Sequence, residues 1–306
     1  MSTHITFIHQ HQNKHKEITM NADVTVIIPY YNGSRFIAAT VASVLNQSVQ
    51  PLEIIIINDG SSLEETNILN SFDERITIFH QENTGVSAAR NFGIAKSKGQ
   101  WLAFLDQDDL WEKYKLEKQW KYIVENSDCH AIHTAVKSVK QDLQEFEYKK
   151  KTLTLEDFLY GHPNPSYLSS TMIRKDSFIQ AGLFNPTLPY SQDLECFLRC
   201  SRFFRFDYID EPLTVRICHE ANLSGNYIGV WKENIKTRRF YEDEYHDKKR
   251  FKSMLYDLHI QYALRSLQKR HWRNFTTILM ELKTDGFSKF IFISTVIKRR
   301  FKNIDA

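Results

Sequence analysis

Strand and helix patterns alternate from residue 24 to residue 111, and this alternation restricts the fold more than any other feature of the chain. Short runs rich in β-branched or aromatic residues are typical of buried strands, and they lie at 24–29, 53–58, 76–80 and 101–105. Helical patterns separate them, at 36–46, from 64 onwards and at 86–96. This order predicts an α/β protein with a mostly parallel sheet flanked by helices.

The candidate polar residues share one location, just after the predicted strands. Tyr31 follows the first strand, Asp59 the second, Asn83 the third and Asp106 the fourth. Open α/β sheets bind their ligands beyond the carboxyl ends of the strands. The shared location therefore predicts one binding site at that edge of the sheet, and it supports the prediction better than any single motif.

The strongest local signal is the acidic stretch Asp106-Gln107-Asp108-Asp109. Carboxylates this close repel one another unless a cation lies among them. The stretch therefore predicts a site for a divalent cation and a phosphate group. A solvated acidic turn is the commoner fate of an isolated DxD, but the apolar strand before this one and Trp111 after it favour a site.

Two classes of nucleotide-using proteins have characteristic loops that this chain lacks. A dinucleotide-binding domain needs GxGxxG after the first strand, where this chain has only Gly33. A nucleotidyltransferase that makes activated sugars predicts a phosphate loop rich in Gly, Arg and Lys, and PYYNGSRF does not supply one. Both classes are therefore disfavoured.

Composition restricts the partners and the compartment. The formal net charge of +3 at pH 7 is too small to indicate a nucleic-acid partner. The four cysteines have no CxxC spacing, which favours buried, reduced thiols and a cytoplasmic location. No run reaches the ~18 apolar residues of a membrane span, and no signal-peptide pattern is present.

Both ends of the chain differ from the alternating part. Residues 1–21 are polar and rich in histidine, which predicts a disordered tail, with a metal-binding tract as the alternative. Residues 225–306 have basic and aromatic helical patterns and no alternating strands. They predict a helical C-terminal extension.

The segment 287–301 is apolar and then strongly basic. Its predicted apolar side is Phe287, Phe290, Ile291, Ile293, Ser294 and Ile297, and its cations are Lys298, Arg299, Arg300 and Lys302. This pattern suits a helix that lies on an anionic membrane surface, and a terminal helix docked on the protein is an equal alternative. The clustered cations predict peripheral, salt-sensitive membrane binding.

Seven segments follow one another along residues 24–224: VTVIIPYYN, IIINDGSS, NTGVSAARNFGIAKSKGQWLAFLDQDD, MIRKDSF, AGLFN, QDLECFLR and VRICHEANLS. In their residues and their order they resemble family 2 glycosyltransferases of the nucleotide-diphospho-sugar transferase (GT-A) fold. The resemblance implies a Rossmann-like GT-A domain over 22–224. Its nucleotide-sugar half would cover about 22–127 and its acceptor half about 128–224.

The resemblance also implies an activity. The donor would be a nucleotide-diphosphate sugar, usually a UDP-sugar, with Mg²⁺ or Mn²⁺ as the cofactor. The enzyme would transfer a hexose with inversion to a hydroxyl of a glycan or a lipid-linked acceptor. Such reactions build cell-surface polysaccharide or lipopolysaccharide.

Individual residues match the family's donor site. By this resemblance, the nucleoside would be held by Pro29, Tyr31, Asp59 and Arg90. Asp59 would contact the base or the ribose hydroxyls, and the ring of Tyr31 would stack. Asp106, the first residue of the DxD pair, would contact the ribose or a metal-bound water.

Other residues match the family's metal and catalytic positions. Asp108, the second residue of the DxD pair, would bind the metal ion, which neutralises the charge of the leaving diphosphate. Asp193 matches the general base that takes the proton of the acceptor hydroxyl. Arg216 and His219 resemble an Arg-x-x-His that closes over the diphosphate, with an exposed surface pair as the alternative.

The chain departs from the family pattern at one informative position. Many members have Glu-Asp where this chain has Gln192-Asp193. Because the matching base remains, an active enzyme is the leading hypothesis. A non-catalytic nucleotide-sugar-binding protein on the same fold is the alternative.

Overall fold

The structure is a computed structural model that describes residues 22–140, 145–148, 154–160, 167–219, 226–244, 247–282, 288 and 291–296. Its strands are β1 (Ala22–Tyr30), β2 (Pro51–Asp59), β3 (Ile76–Gln81), β4 (Trp101–Phe104), β5 (Asp109–Trp111), β6 (Ala131–Lys140), β7 (Glu145–Tyr148), β8 (Thr171–Arg174) and β9 (Phe206–Cys218). The predicted N-terminal tail, 1–21, lies outside the described residues.

Helices connect many of these strands, and the described part of the chain after β9 is helical. They are α1 (Ser34–Leu45), α2 (Leu63–Thr66), α3 (Val86–Lys96), α4 (Lys115–Glu125), α5 (Leu155–Tyr160), α6 (Lys175–Ala181), α7 (Gln192–Cys200), α8 (Tyr227–Phe240), α9 (Lys248–Gln268) and α10 (Trp272–Glu281). Short 3₁₀ segments occur at 67–71, 168–170 and 242–244.

The strands form one sheet in the order β3-β2-β1-β4-β8-β6-β9-β5, with β7 paired to β6. The pairs from β3 to β4 are all parallel, whereas β8 is antiparallel to both β4 and β6. The predicted α/β class is therefore confirmed, and its parallel part is the alternating stretch. Because β1 to β4 are parallel, the polar residues that follow them lie at the same edge of the sheet.

Most residues of β1, β2 and β4 are buried on both faces of the sheet, which explains their continuous apolar runs. Along β1, Val24, Val26 and Ile28 belong to one hydrophobic cluster, while Ile27 belongs to the cluster on the other face. Helix α3 approaches this second face closely, since a Cβ atom on Gly93 would lie 2.6 Å from Ile27 Cγ2. The helix can come this close because residue 93 has no side chain.

The sequence pattern of residues 111–126 predicts a further helix. The pattern favoured a helix from Trp111, but Asp109–Trp111 forms β5 and the helix begins at Lys115. The reason is a tertiary contact, because β5 pairs with Thr214–Arg216 of the antiparallel strand β9. This pairing brings the acidic stretch against a strand from the second half of the domain.

A buried lysine lies at the start of α4. Lys115 is 0% exposed, with Nζ 2.8 Å from Gln119 Oε1 and 4.0 Å from the centroid of the Trp111 ring. The described residues supply no carboxylate partner for it. Burial therefore lowers the pKa of Lys115 well below its ordinary value of 10.5.

Lys115→Met should raise the free energy of unfolding at pH 7 by about 1 kcal/mol, because it removes a buried amine without a charge partner. In the wild type, the unfolded chain binds more protons than the folded chain between the lowered pKa and 10.5, so stability rises with pH across that window. Urea denaturation at pH 7 and pH 10 should show that the variant loses this rise. Exposed Lys121→Met is the control, and a rise retained in Lys115→Met would contradict the prediction.

The helices α8, α9 and α10 and the helical segment 291–296 share a hydrophobic cluster. Phe292 and Val296 are buried in it beside Trp231 and Ile260. Ile291 and Ile293, which belong to the predicted apolar side, are 60% and 37% exposed, so the side that packs on the protein is a different one. Packing against α8 and α9 selects the face that includes 292 and 296.

This packing favours the docked-helix alternative for 291–296. The four clustered cations predicted to meet a membrane, at 298–300 and 302, lie outside the described residues. Across the described helices, none is both long enough and apolar enough to cross a membrane.

Candidate active site

The carboxyl ends of the parallel strands open into a cavity of ≈ 970 Å³. Every residue that the sequence predicted for the site lines this cavity: Pro29, Tyr31, Asp59, Arg90, Asp106, Asp108, Asp193, Arg216 and His219. They come from both predicted halves of the domain. The fold thus brings the whole predicted set into one place.

Arg90 joins two carboxylates of the cavity. Helix α3 carries this arginine, whose side chain is only 4% exposed. Its Nη2 donates to Asp106 Oδ1 at 2.6 Å, and its Nη1 lies 3.4 Å from Asp193 Oδ1. Burial disfavours the charged guanidinium, but the two carboxylates outweigh burial and raise the pKa of Arg90. The charged arginine therefore holds the loop after β4 and the start of α7 together.

Asp193 lies in the first turn of α7, with its side chain 23% exposed to the cavity. The inward side of this helix is apolar, with Leu194, Phe197 and Leu198 buried. Burial raises the pKa of Asp193 above its ordinary value of 3.8, and the charge of Arg90 opposes that rise. A carboxylate with a raised pKa accepts a proton more readily, which suits a general base.

Helix α8 fixes the turn just before Asp193. Ser191 has a φ of 58°, a left-handed conformation that is uncommon for serine. Its Oγ accepts a hydrogen bond from Asn234 Nδ2 at 2.9 Å. Asn234 Oδ1 accepts from Nη1 of the fully buried Arg238 at 2.5 Å. Surroundings that over-determine a conformation allow it to persist, so this bonded chain positions the start of α7.

Asp109 supports the acidic loop and was not predicted as a site residue. It is 5% exposed, and its Oδ2 accepts from Ser169 Oγ at 2.6 Å. The same Ser169 hydroxyl accepts from the backbone amide of Asp106 at 3.1 Å. Burial, followed by the charges of Asp106 and Asp108, raises the pKa of Asp109 well above 3.8. Asp109 therefore anchors the loop through Ser169.

Gln107, the middle residue of the DxD stretch, ties this loop to the end of β1. Its Oε1 accepts from the backbone amide of Tyr31 at 2.8 Å, and its Nε2 donates to the Tyr31 carbonyl at 3.1 Å. A Cβ atom on Gly33 would lie 2.4 Å from the Gln107 carboxamide carbon, so a side chain there would displace the carboxamide from these two bonds. The backbone of Tyr31 is thereby fixed, while its ring is 48% exposed in the cavity wall.

Arg216 and His219 lie inside the cavity, which disfavours the exposed-pair alternative. His219 is 7% exposed; its Nε2 lies 2.8 Å from Asp108 Oδ2 and its ring stacks on Phe36 at 4.3 Å. Arg216 Nη1 lies 3.2 Å from the hydroxyl of Tyr167, whose ring it also overlies. Burial raises the pKa of Asp108, as does the charge of Asp106, while the bond to His219 opposes the rise.

Asp59 fixes the loop after β3. The residue is 3% exposed, and its two oxygens accept from the backbone amides of Thr84 and Gly85, both at 2.9 Å. Gln81 Nε2 donates to the same carboxylate at 2.7 Å. These bonds shape the part of the cavity wall where Asn83 lies.

The C-terminal helices also line the cavity, which the sequence analysis missed. Their lining residues are Tyr227, Val230, Asn234, Gln261, Tyr262 and Arg265. The sequence showed an aromatic and basic helical pattern here but no spacing that pointed to a site. Only the packing of α8 against the loop before α7 brings these side chains to the cavity.

The acidic loop fits a divalent cation that a bound ligand helps to hold. Within the described ranges, no three His, Cys, Asp or Glu side chains form a ready-made metal cage. Mg²⁺ often binds through one or two carboxylates together with substrate phosphates and water. Burial and mutual repulsion raise the pKa values of Asp108 and Asp109, so an added positive charge there would relieve an unfavourable arrangement.

Comparison with known proteins assigns the chain to a family. A sequence model described as Glycosyl transferase family 2 matches residues 25–182. The chain belongs to glycosyltransferase family 2. The predicted family is therefore confirmed.

Relatives of this family 2 glycosyltransferase match over part of their length. An uncharacterized glycosyltransferase of Rickettsia bellii is 43% identical over 133 residues, which are 42% of this chain and 19% of that protein. The putative teichuronic acid biosynthesis glycosyltransferase TuaG of Bacillus subtilis is 40% identical over 143 residues, 44% of this chain and 56% of TuaG. The chain thus matches about a fifth of the first relative and little more than half of the second.

A solved structure confirms the fold of this family 2 member. S. aureus TarS 1–349, in complex with UDP-GlcNAc, matches with a TM-score of 0.59 and 15% identity over 87% of this chain and 92% of that chain. At that identity the likeness establishes the fold alone. The GT-A fold predicted from the sequence is therefore confirmed.

Proposed function

We propose that the protein is an inverting glycosyltransferase that moves a hexose from a UDP-sugar to a hydroxyl of a glycan or a lipid-linked acceptor. Its product would enter cell-surface polysaccharide or lipopolysaccharide. The observation that carries the proposal is the bridge of Arg90 between Asp106 and Asp193. This bridge sets the proposed base beside the proposed donor-binding loop in one cavity.

Asp193 is the general base in the proposed reaction. Its carboxylate takes the proton of the acceptor hydroxyl, whose oxygen bonds to the anomeric carbon as the bond from that carbon to the diphosphate oxygen breaks. The attack comes from the face opposite the leaving group, so the configuration inverts. The raised pKa of Asp193 favours this proton transfer, and the ion pair with Arg90 orients the carboxylate.

The remaining residues bind the donor. Asp108 would hold Mg²⁺ or Mn²⁺, and the ion would neutralise charge on the leaving diphosphate. Asp106, two residues before Asp108, would contact the ribose or a metal-bound water. Arg216 and His219 would donate hydrogen bonds to the diphosphate oxygens.

The nucleoside would bind where the loops after the first three strands meet. The exposed ring of Tyr31 offers a stacking surface for the base. Pro29 and Asp59 line the same cavity. The structures of S. aureus TarS 1–349 with UDP and with UDP-GlcNAc have the same fold, which supports a UDP-linked donor here.

A panel of nucleotide sugars tests the function directly. Release of UDP and transfer to added acceptors should be measured with Mn²⁺ and in EDTA, together with the melting temperature for each donor. Turnover of at least one UDP-sugar supports the proposal. Donor binding without any turnover would instead support the non-catalytic alternative.

UDP should stabilise the protein only when Mg²⁺ or Mn²⁺ is present, because a diphosphate meets repulsion from Asp106 and Asp108 without the ion. At a ligand concentration 100-fold above Kd, stabilisation is about 2.7 kcal/mol. Asp108→Asn should remove the metal-dependent part of the melting-temperature shift. The exposed Asp73→Asn should keep all of it. An equal shift in EDTA would contradict the assignment of Asp108.

A further inference from the structure

A basic surface without salt bridges lies where α9 meets the cavity. Between Asp257 and Glu281 the chain has no acidic residue but has Arg265, Lys269, Arg270 and Arg273. Within the described residues, none of these four cations forms a salt bridge. Arg265 itself lines the cavity.

Tyr227 brings Lys269 close to Arg265, the cation that lines the cavity. Its ring lies 5.4 Å from Arg265 Cζ and 5.7 Å from Lys269 Nζ, measured to the ring centroid. Its hydroxyl lies 3.0 Å from His271 Nδ1 and accepts from Asn274 Nδ2 at 2.9 Å. Burial and two hydrogen bonds at its hydroxyl therefore fix the Tyr227 ring, which packs against both cations.

The same surface is connected to the proposed base. Asn234 of α8 lines the cavity and bonds to Ser191, two residues before Asp193. Tyr190 lies closely against α8, since a Cβ atom on Gly229 would come within 2.5 Å of its ring. Aromatic rings in a concave site suit a sugar chain, whose rings present apolar faces.

We propose that the α8–α9 surface, with Arg265 and Lys269, binds an acceptor chain that carries phosphate or carboxylate groups. The inference rests on the proposed function, because it treats Asp193 as the group that meets the acceptor. The proposed donor-binding residues lie at strand ends, on α3, in β9 and just after β9. Helices α8 and α9 therefore supply cavity surface near the base that has no assigned role in donor binding. A guanidinium and an ammonium without carboxylate partners bind anionic oxygens through charge-assisted hydrogen bonds.

Fluorescence anisotropy of labelled oligomers tests this inference on the full chain. The probes are a glycerol-phosphate hexamer, a hexagalacturonate and, as the neutral reference, maltohexaose. The wild type should bind at least one anionic hexamer more tightly than maltohexaose, with an affinity that falls as salt rises. Arg265→Gln with Lys269→Gln should weaken that binding roughly tenfold or more.

The matched control is Lys249→Gln with Lys252→Gln, which makes the same charge change at exposed positions near the other end of α9. It should bind as the wild type does, and Arg265→Lys should retain most of the affinity. The melting temperature of each variant checks its fold. If the double variant is unfolded, the preference of the wild type for an anionic hexamer over maltohexaose still tests the inference.

Several results would overturn the inference. One is that the wild type shows no preference for an anionic hexamer. Another is that the Arg265 and Lys269 double variant binds the hexamer with the wild-type affinity. A third is that the double variant loses binding only to phosphatidylglycerol vesicles. The last result would assign the basic surface to a membrane. Absence of a UDP-induced shift would refute the donor assignment instead, and the oligomer measurement does not require UDP.

Discussion

Asp193→Asn is expected to cut transfer at least ~100-fold while UDP binding stays nearly intact. Asparagine keeps the shape of the side chain but cannot take the proton of the acceptor hydroxyl. The donor loop should persist, because the 2.6 Å contact of Arg90 with Asp106 is shorter than its 3.4 Å contact with Asp193. Initial rates of transfer and the UDP-induced shift in melting temperature measure the two effects separately.

The exposed Asp176→Asn, on α6 and outside the cavity, is the control and should transfer at the wild-type rate. Near-normal turnover in Asp193→Asn would move the base elsewhere. Gln192 separates the base from its neighbour, because Gln192→Glu should retain activity if that position only tunes Asp193. Its Nε2 donates to the Leu188 carbonyl at 3.1 Å, a bond that an ionised glutamate would lose.

Local patterns predicted much of the fold because the signals were themselves local. The run 24–29 forms the core of β1, and the helix predicted at 86–96 is α3 with the same ends. β5 was missed, since a strand of three residues is set by its partner β9 about a hundred residues away. Periodicity has no information about such a pairing.

In the candidate site, too, some residues could be predicted from local sequence and others could not. The residues after the strands were predictable because strand ends of a parallel sheet meet at one edge. The roles of Ser169 and Asn234 were not, since each acts through a bond to a residue far away in sequence. The left-handed Ser191 is likewise invisible in composition, although it sets the approach of Asp193 to the cavity.

Burial decides how much each arginine contributes to stability in this protein. Arg75 and Arg90 each have a nitrogen 2.6 Å from an aspartate oxygen. Arg75 and Asp73 are 58% and 49% exposed, so water screens their attraction. Arg90 is 4% exposed and is the shared partner of Asp106 and Asp193. Loss of Arg90 therefore leaves two carboxylates in the cavity without their cation.

Arg90→Met should lower the free energy of unfolding by about 2–4 kcal/mol, less than for a fully buried pair because Asp106 is partly exposed. For a chain of this size the melting temperature should fall on the order of 5 °C. Transfer should be lost as well, since the proposed base loses its orienting partner. Thermal and urea denaturation, followed by transfer assays on the folded variant, measure these effects.

A double variant identifies the cause of that loss. The double variant Arg90→Met with Asp193→Asn lacks one of the two carboxylates that Arg90→Met leaves unpaired. The double variant should therefore be more stable than Arg90→Met alone. A shortfall caused by poor packing of methionine would not be relieved in this way. Arg75→Met, with the same contact distance at the surface, should leave the melting temperature nearly unchanged. Equal losses in Arg75→Met and Arg90→Met would show that contact distance, rather than burial and the shared carboxylates, sets the contribution of these arginines.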